Sequence, residues 1–185
     1  MDPLNQSLLL KAKEFLSLKS VFSRQASLSK ELITCDCSGL FNLLFKEIVD
    51  QQFISLKAFQ YFDQIESQES IHKLLIQKKS KVTQLNVGDV ICWRKRLIPK
   101  CGDTGHMALV TKEAKKVDHH CYELEIFDCS KTLHDFDTRE NSINAIGIGK
   151  IKVYTNDDGE MIGLMWSSDK KKIKRTPILG AQFYL

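Results

Sequence analysis

Apolar and polar positions change rhythm once along this chain, near Val82. Before it, Leu8, Leu9, Ala12, Phe15, Leu16 and Leu18 recur at near-helical spacing with lysines between them, which predicts an amphipathic helix. "SGLFNLLFKEIVDQ" repeats the pattern with a broader apolar face made by Leu40, Leu43, Leu44, Ile48 and Val49. "SLKAFQYFDQIES" and "SIHKLLIQKKS" read as two further amphipathic helices. After Val82 the runs shorten. "DVICW", "HMALVTK" and "CYELEIFDC" are β-prone and bounded by Gly, Asp and Lys. "GKIKVYTNDDGEMIGLMW" alternates on both sides of Asp157-Asp158-Gly159, a hairpin pattern, and "ILGAQFYL" adds a last strand. Helices followed by antiparallel strands predict an α+β fold in a single domain over 1–185, helical to about 80 and sheet from about 82.

Composition narrows the classes. The 185 residues are 43% apolar and 27% charged, as in an ordinary globular domain with a substantial core. A net charge of +4 without a basic stripe and interleaved aromatics argues against nucleic acid. No apolar run approaches membrane-spanning length, and "MDPLNQSLLLKAKEF" lacks the pattern of a secretory signal. The expectation is therefore a cytoplasmic protein with no membrane partner, with export or delivery as an effector left open. Cysteines at 35, 37, 92, 101, 121 and 129 are too sparse for a disulfide scaffold and are expected to be reduced.

The chemistry concentrates in "TCDCSGLF", Thr34 to Phe41. Cys35 and Cys37 are separated by one residue, whereas redox pairs and zinc knuckles usually have two between their thiols. Cys37 instead stands where a helix should begin, and unpaired N–H groups and the dipole there favour a thiolate. A base must come from elsewhere. His106 starts a strand in "DTGHMALV", and Asp128 ends the next in "EIFDCS". Antiparallel pairing of those strands would set the two side by side, with Asp128 orienting the imidazole.

"DCSGL", "GDVICW" and "GDTGHMALV", followed by a strand ending in a polar residue, resemble the NlpC-like branch of papain-fold cysteine peptidases. The resemblance runs from about Asp36 onward. It implies a papain-like fold with the nucleophile helix packed on the sheet, and Cys37 as nucleophile, His106 as base and Asp128 as orienting residue. "FDCSKTLHDFDTR" and the hairpin ending in Trp166 are similar to a poorly characterised bacterial subgroup, which draws in His134 and Arg139. The family's cell-wall hydrolases carry a Tyr and paired glycines shortly before "DCSG"; "SRQASLSKELIT" has neither, a departure that leaves peptidoglycan specificity open.

The implied activity is thiol hydrolysis of an amide, in a peptide or cell-wall peptide, through an acyl-enzyme and without cofactor or metal. The same fold and residues serve acyltransferases and deamidases acting on proteins or lipids, and an idle binding module is the remaining alternative. Asp36 suits both a helix cap and a contact to a substrate amine. Ser38 would help hold substrate and oxyanion, and His134 would stand on the cleft rim. For His134, Asp137 and Arg139 together, a salt-bridged loop under the sheet is the favoured reading over the rim. His119-His120-Cys121, Cys101 and Cys129 complete no structural zinc spacing. "DKKKIKR", 169–175, reads as a solvated connection. Oligomeric state is not legible.

Overall fold

The computed structural model describes residues 2–49, 52–71, 73–95, 104–139 and 145–185. Asp2 caps helix α1 (Pro3–Leu16) by accepting from the Leu4 N–H at 2.9 Å, with Pro3 in the first turn where a missing donor costs nothing. Three short strands follow: β1 (Lys19–Phe22), β2 (Ser27–Leu28) and β3 (Leu32–Cys35). They form a separate sheet in which β3 lies between a parallel β1 and an antiparallel β2. Helix α2 (Cys37–Ile48) starts two residues after β3 ends and is buried along Ser38 to Phe45. Helix α3 (Ala58–Ser67) follows, closed by Gln68 in the left-handed region at φ 57°.

The remaining strands are β4 (Leu75–Lys79), β5 (Val90–Arg94), β6 (Gly105–Val110), β7 (Lys115–Asp118), β8 (Cys121–Cys129), β9 (Ile146–Thr155), β10 (Met161–Met165), β11 (Lys174–Arg175) and β12 (Ile178–Tyr184). They make one antiparallel sheet in the order β11-β10-β9-β8-β6-β5-β12-β4, with β7 also on β8. The Met161 N–H donates to the Ser80 carbonyl at 3.0 Å, just beyond β4, so the sheet curls until its two ends touch.

Alternation along the strands separates two cores. Val90, Cys92, Met107, Leu109 and Phe127 face the helices. Ile91, Trp93, Ala108, Val110, Leu124 and Ile126 fill the inside of the curl. The mixed α+β architecture with antiparallel strands is therefore as the sequence pattern predicts. Among the described residues no helix is long and apolar enough to cross a membrane.

Two local expectations fail. "SIHKLLIQKKS" forms strand β4 rather than a helix, and 19–35 carries strands, so the part before 80 is not all helical. Pairing of β4 with β12, from Leu75↔Tyr184 to Lys79↔Gly180, overrides the local helical spacing. Lys79, which a helical reading leaves solvated, is buried against Asp89 at 2.6 Å.

Asn42, inside α2, holds the approach to α3. Its amide donates to the Leu56 carbonyl and accepts from the Leu56 N–H, both at 3.0 Å, and from the Tyr61 hydroxyl at 2.8 Å. Asn42→Leu would strand three buried polar groups, so urea unfolding should show a loss of about 2–4 kcal/mol.

Candidate active site

Cys37 owes its position to Asp36, the N-cap of α2, whose carboxylate accepts from the Gly39 N–H at 2.7 Å and the Ser38 hydroxyl at 3.1 Å. The cap satisfies one first-turn donor. The Cys37 and Ser38 N–H groups, at the same end of the helix dipole, are not taken by the cap side chain. Asp36, Cys37 and Ser38 all line a cleft of about 720 Å³ together with Gly105, His106 and Trp166. The Cys37 sulfur is 4.0 Å from the Gly105 carbonyl, at the first residue of β6.

His106 and Asp128 continue the inward-facing sets of β6 and β8. The pairing Leu109↔Phe127 and Val110↔Ile126 puts them in the same face and diagonal to one another. The His106 Nε2 donates to Asp128 Oδ2 at 2.6 Å, leaving Nδ1 as the nitrogen available to Cys37. The imidazole is also wedged between Trp93 and Trp166, with ring centroids 4.9 Å away in each case. Thus α2 brings the sulfur over the rim of the curl, while the two polar partners come from inside it.

The electrostatics favour a charged imidazole. Burial alone would lower the His106 pKa; the Coulombic effect of Cys37 and the hydrogen bonds with Asp128 and Cys37 outweigh it and raise the group from 6.5 to about 9. Burial likewise opposes ionisation of Asp128, but hydrogen bonds from His106 and His134 hold its carboxyl well below the usual range. Because the folded value of His106 exceeds its unfolded one, its stabilising contribution is complete below about pH 6.5 and is lost as pH rises through about 9. Following the ring nitrogens by NMR should show that midpoint, and Cys37→Ala should lower it by about one unit or more.

Three other cysteines are held as neutral thiols. Burial pushes the Cys92 and Cys121 thiols up, and a hydrogen bond with Cys35, then burial, does so for Cys129. Cys35 is fully buried, with its carbonyl accepting from the Cys129 thiol at 3.2 Å. The five described cysteines are free thiols. Cys101 lies outside the described residues, and among those described no group of three or more metal-binding side chains converges.

His134 is not on the rim. Its side chain is 0% exposed, and its Nε2 donates to the same Asp128 oxygen at 3.1 Å. Its ring lies parallel to Trp166, with centroids 5.2 Å apart and planes 6° from one another. Arg139 stands 3.2 Å from the other carboxylate oxygen as an ion-pair partner and is clamped by Asp137 at 2.6 Å. The salt-bridged loop and His106 are therefore one cluster, joined at Asp128.

What admits this loop is the "GIG" of β9. Gly147 lies opposite Asp128, and a Cβ there would come within 2.5 Å of the Arg139 side chain. A Cβ on Gly149 would come within 2.7 Å of His134. Alternate glycines inside a strand were the available signal that other side chains occupy that face.

No family model matches the chain, and no solved structure matches it. A protein of Acanthamoeba polyphaga mimivirus, itself named only as uncharacterised, is 27% identical over 163 residues, a similarity that covers 74% of this chain and 70% of the mimivirus protein.

Proposed function

We propose that this chain is a cysteine hydrolase of amide bonds, built on the papain-like, NlpC-type plan that its motifs resemble. The observation that carries the reading is the meeting of Cys37 and His106 at one cleft, with buried Asp128 behind the imidazole and holding it through a 2.6 Å hydrogen bond. Each has the chemistry its position requires.

In this mechanism the Cys37 sulfur attacks the amide carbonyl carbon, and the carbonyl π electrons move onto oxygen. The Cys37 and Ser38 N–H groups supply donors for that oxyanion. As the C–N bond breaks, the His106 imidazolium gives its proton to the leaving amine, and an acyl thioester remains on Cys37. The neutral imidazole then takes a proton from water; the hydroxide oxygen displaces the thiolate and releases a carboxylic acid. Asp128 keeps Nε2–H fixed, so that Nδ1 carries the proton traffic. His134 and Arg139 hold Asp128 in place as positioning residues.

An activated ester such as p-nitrophenyl acetate tests this directly. A burst of p-nitrophenol with one acyl group mapped to Cys37 is the expected result. Acylation spread over several cysteines, or no burst, would overturn the reading.

A further inference from the structure

The cleft around Cys37 has an unbalanced charge that bears on its substrate, and the inference depends on the hydrolase reading above. Among the described residues its lining includes Arg24, Lys57 and Lys131 against one carboxylate, Asp36. Arg24 comes from the turn between β1 and β2, Lys57 from the segment entering α3, and Lys131 from just beyond β8. Three separate walls of the groove thus each present a cation. None of the three has an ion-pair partner among the described residues, unlike Lys112, which pairs with Glu125 at 2.7 Å.

The single acid does not neutralise them locally, since its Oδ1 is engaged by Gly39 and Ser38 at the helix start. Lys131 is held with its ammonium 4.5 Å above the Phe22 ring, which also lines the cleft. Leu56 and Phe59 supply further apolar surface between the cations. The space of about 720 Å³ accommodates several residues of a chain rather than one side chain.

We propose that the substrate is an acidic peptide, bound with its scissile amide at Cys37 and flanking carboxylates among Arg24, Lys57 and Lys131. A cleft of one sign concentrates ligands of the other and loses the effect as salt screens it.

Alkylation of Cys37 reads this without a known substrate. With both iodoacetate and iodoacetamide the sulfur forms a bond to the methylene carbon as the C–I bond breaks and iodide leaves to solvent; the two reagents differ chiefly in charge. In low salt, the rate ratio of iodoacetate to iodoacetamide at Cys37 should fall about 3–10-fold in the triple variant Arg24→Gln, Lys57→Gln, Lys131→Gln. The three side chains are exposed, so the fold should persist. In the unaltered protein the same ratio should fall when salt rises from about 0.02 M to about 0.5 M, a check that needs no variant. A capped tri-glutamate peptide should slow iodoacetamide labelling, and a tri-lysine peptide should not.

A ratio unmoved by both the substitutions and salt overturns the acidic-substrate proposal while leaving Cys37 a nucleophile. Protection by phosphatidylserine vesicles but not by tri-glutamate replaces the peptide with a membrane surface and also overturns it. If neither reagent labels Cys37 ahead of the other cysteines, the hydrolase reading itself fails, and the substrate proposal with it.

Discussion

Cys37→Ala is expected to remove the ester burst entirely and to lower any turnover by at least about a thousandfold. Loss of a nucleophile cannot be compensated when no second reactive one stands in its place. Among the described residues Cys129 is the other thiol lining that cleft, but it is 1% exposed, donates to the Cys35 carbonyl at 3.2 Å, and has its pKa raised well above an ordinary thiol's. Cys37 should therefore take iodoacetamide first, as mass mapping of all six cysteines would show. His106→Ala should slow that labelling, because the charge partner of the sulfur is removed. Uniform labelling, with Cys37 no faster than Cys121, would leave the cleft as a binding module.

The second large effect belongs to Asp128. Asp128→Asn should reduce turnover by about 10²–10⁴-fold, because the amide no longer enforces Nε2–H on His106 or stabilises the imidazolium. The His106 titration midpoint should fall with it, a readout that a purely structural change would not move in this way. Asp128→Ala should in addition destabilise the fold, since Arg139, a buried cation, would lose one of the two carboxylates that flank it among the described residues.

His134 then separates hydrogen bonding from ring packing. His134→Phe keeps a ring against Trp166 but loses the bond to Asp128; His134→Gln can keep the bond and loses the ring. Positioning through Asp128 predicts a lowered His106 midpoint and slower turnover for Phe, with partial rescue by Gln. If Gln is no better than Phe, packing against Trp166 rather than the 3.1 Å hydrogen bond is what His134 contributes.

Several parts of this arrangement were legible in local pattern. Asp-Cys-Ser-Gly before an apolar run marks a capped helix start, and the structure places Cys37 at the first position of α2. Strict alternation around Asp157-Asp158-Gly159 marked the β9–β10 pair, and the β-prone runs holding His106 and Asp128 are neighbouring strands. Such signals survive because caps, turns and two-residue periods are set by interactions within a few residues.

The role of His134 was legible only in part. Its spacing after Asp128 gives no direction for the side chain, and a polar residue in a loop ordinarily faces water. Burial became available only because Gly147 and Gly149, on the next strand, leave room for Arg139 and His134. The same limit explains β4, whose partner strand lies about a hundred residues later in the chain.

By itself, then, the sequence determined the start of the helix that carries Cys37, the apolar faces of that helix and of the later strands, and which thiol stood at a helix end. Those properties follow from short-range hydrogen bonding and side-chain periodicity. Tertiary structure decided that the sheet curls until Met161 meets Ser80, that His106 and Asp128 lie inside that curl while Cys37 arrives over its rim, and that two histidines share one buried carboxylate. Those outcomes depend on pairing between distant strands and on which volumes remain unfilled when they pair, and neither quantity is a property of any single stretch of chain.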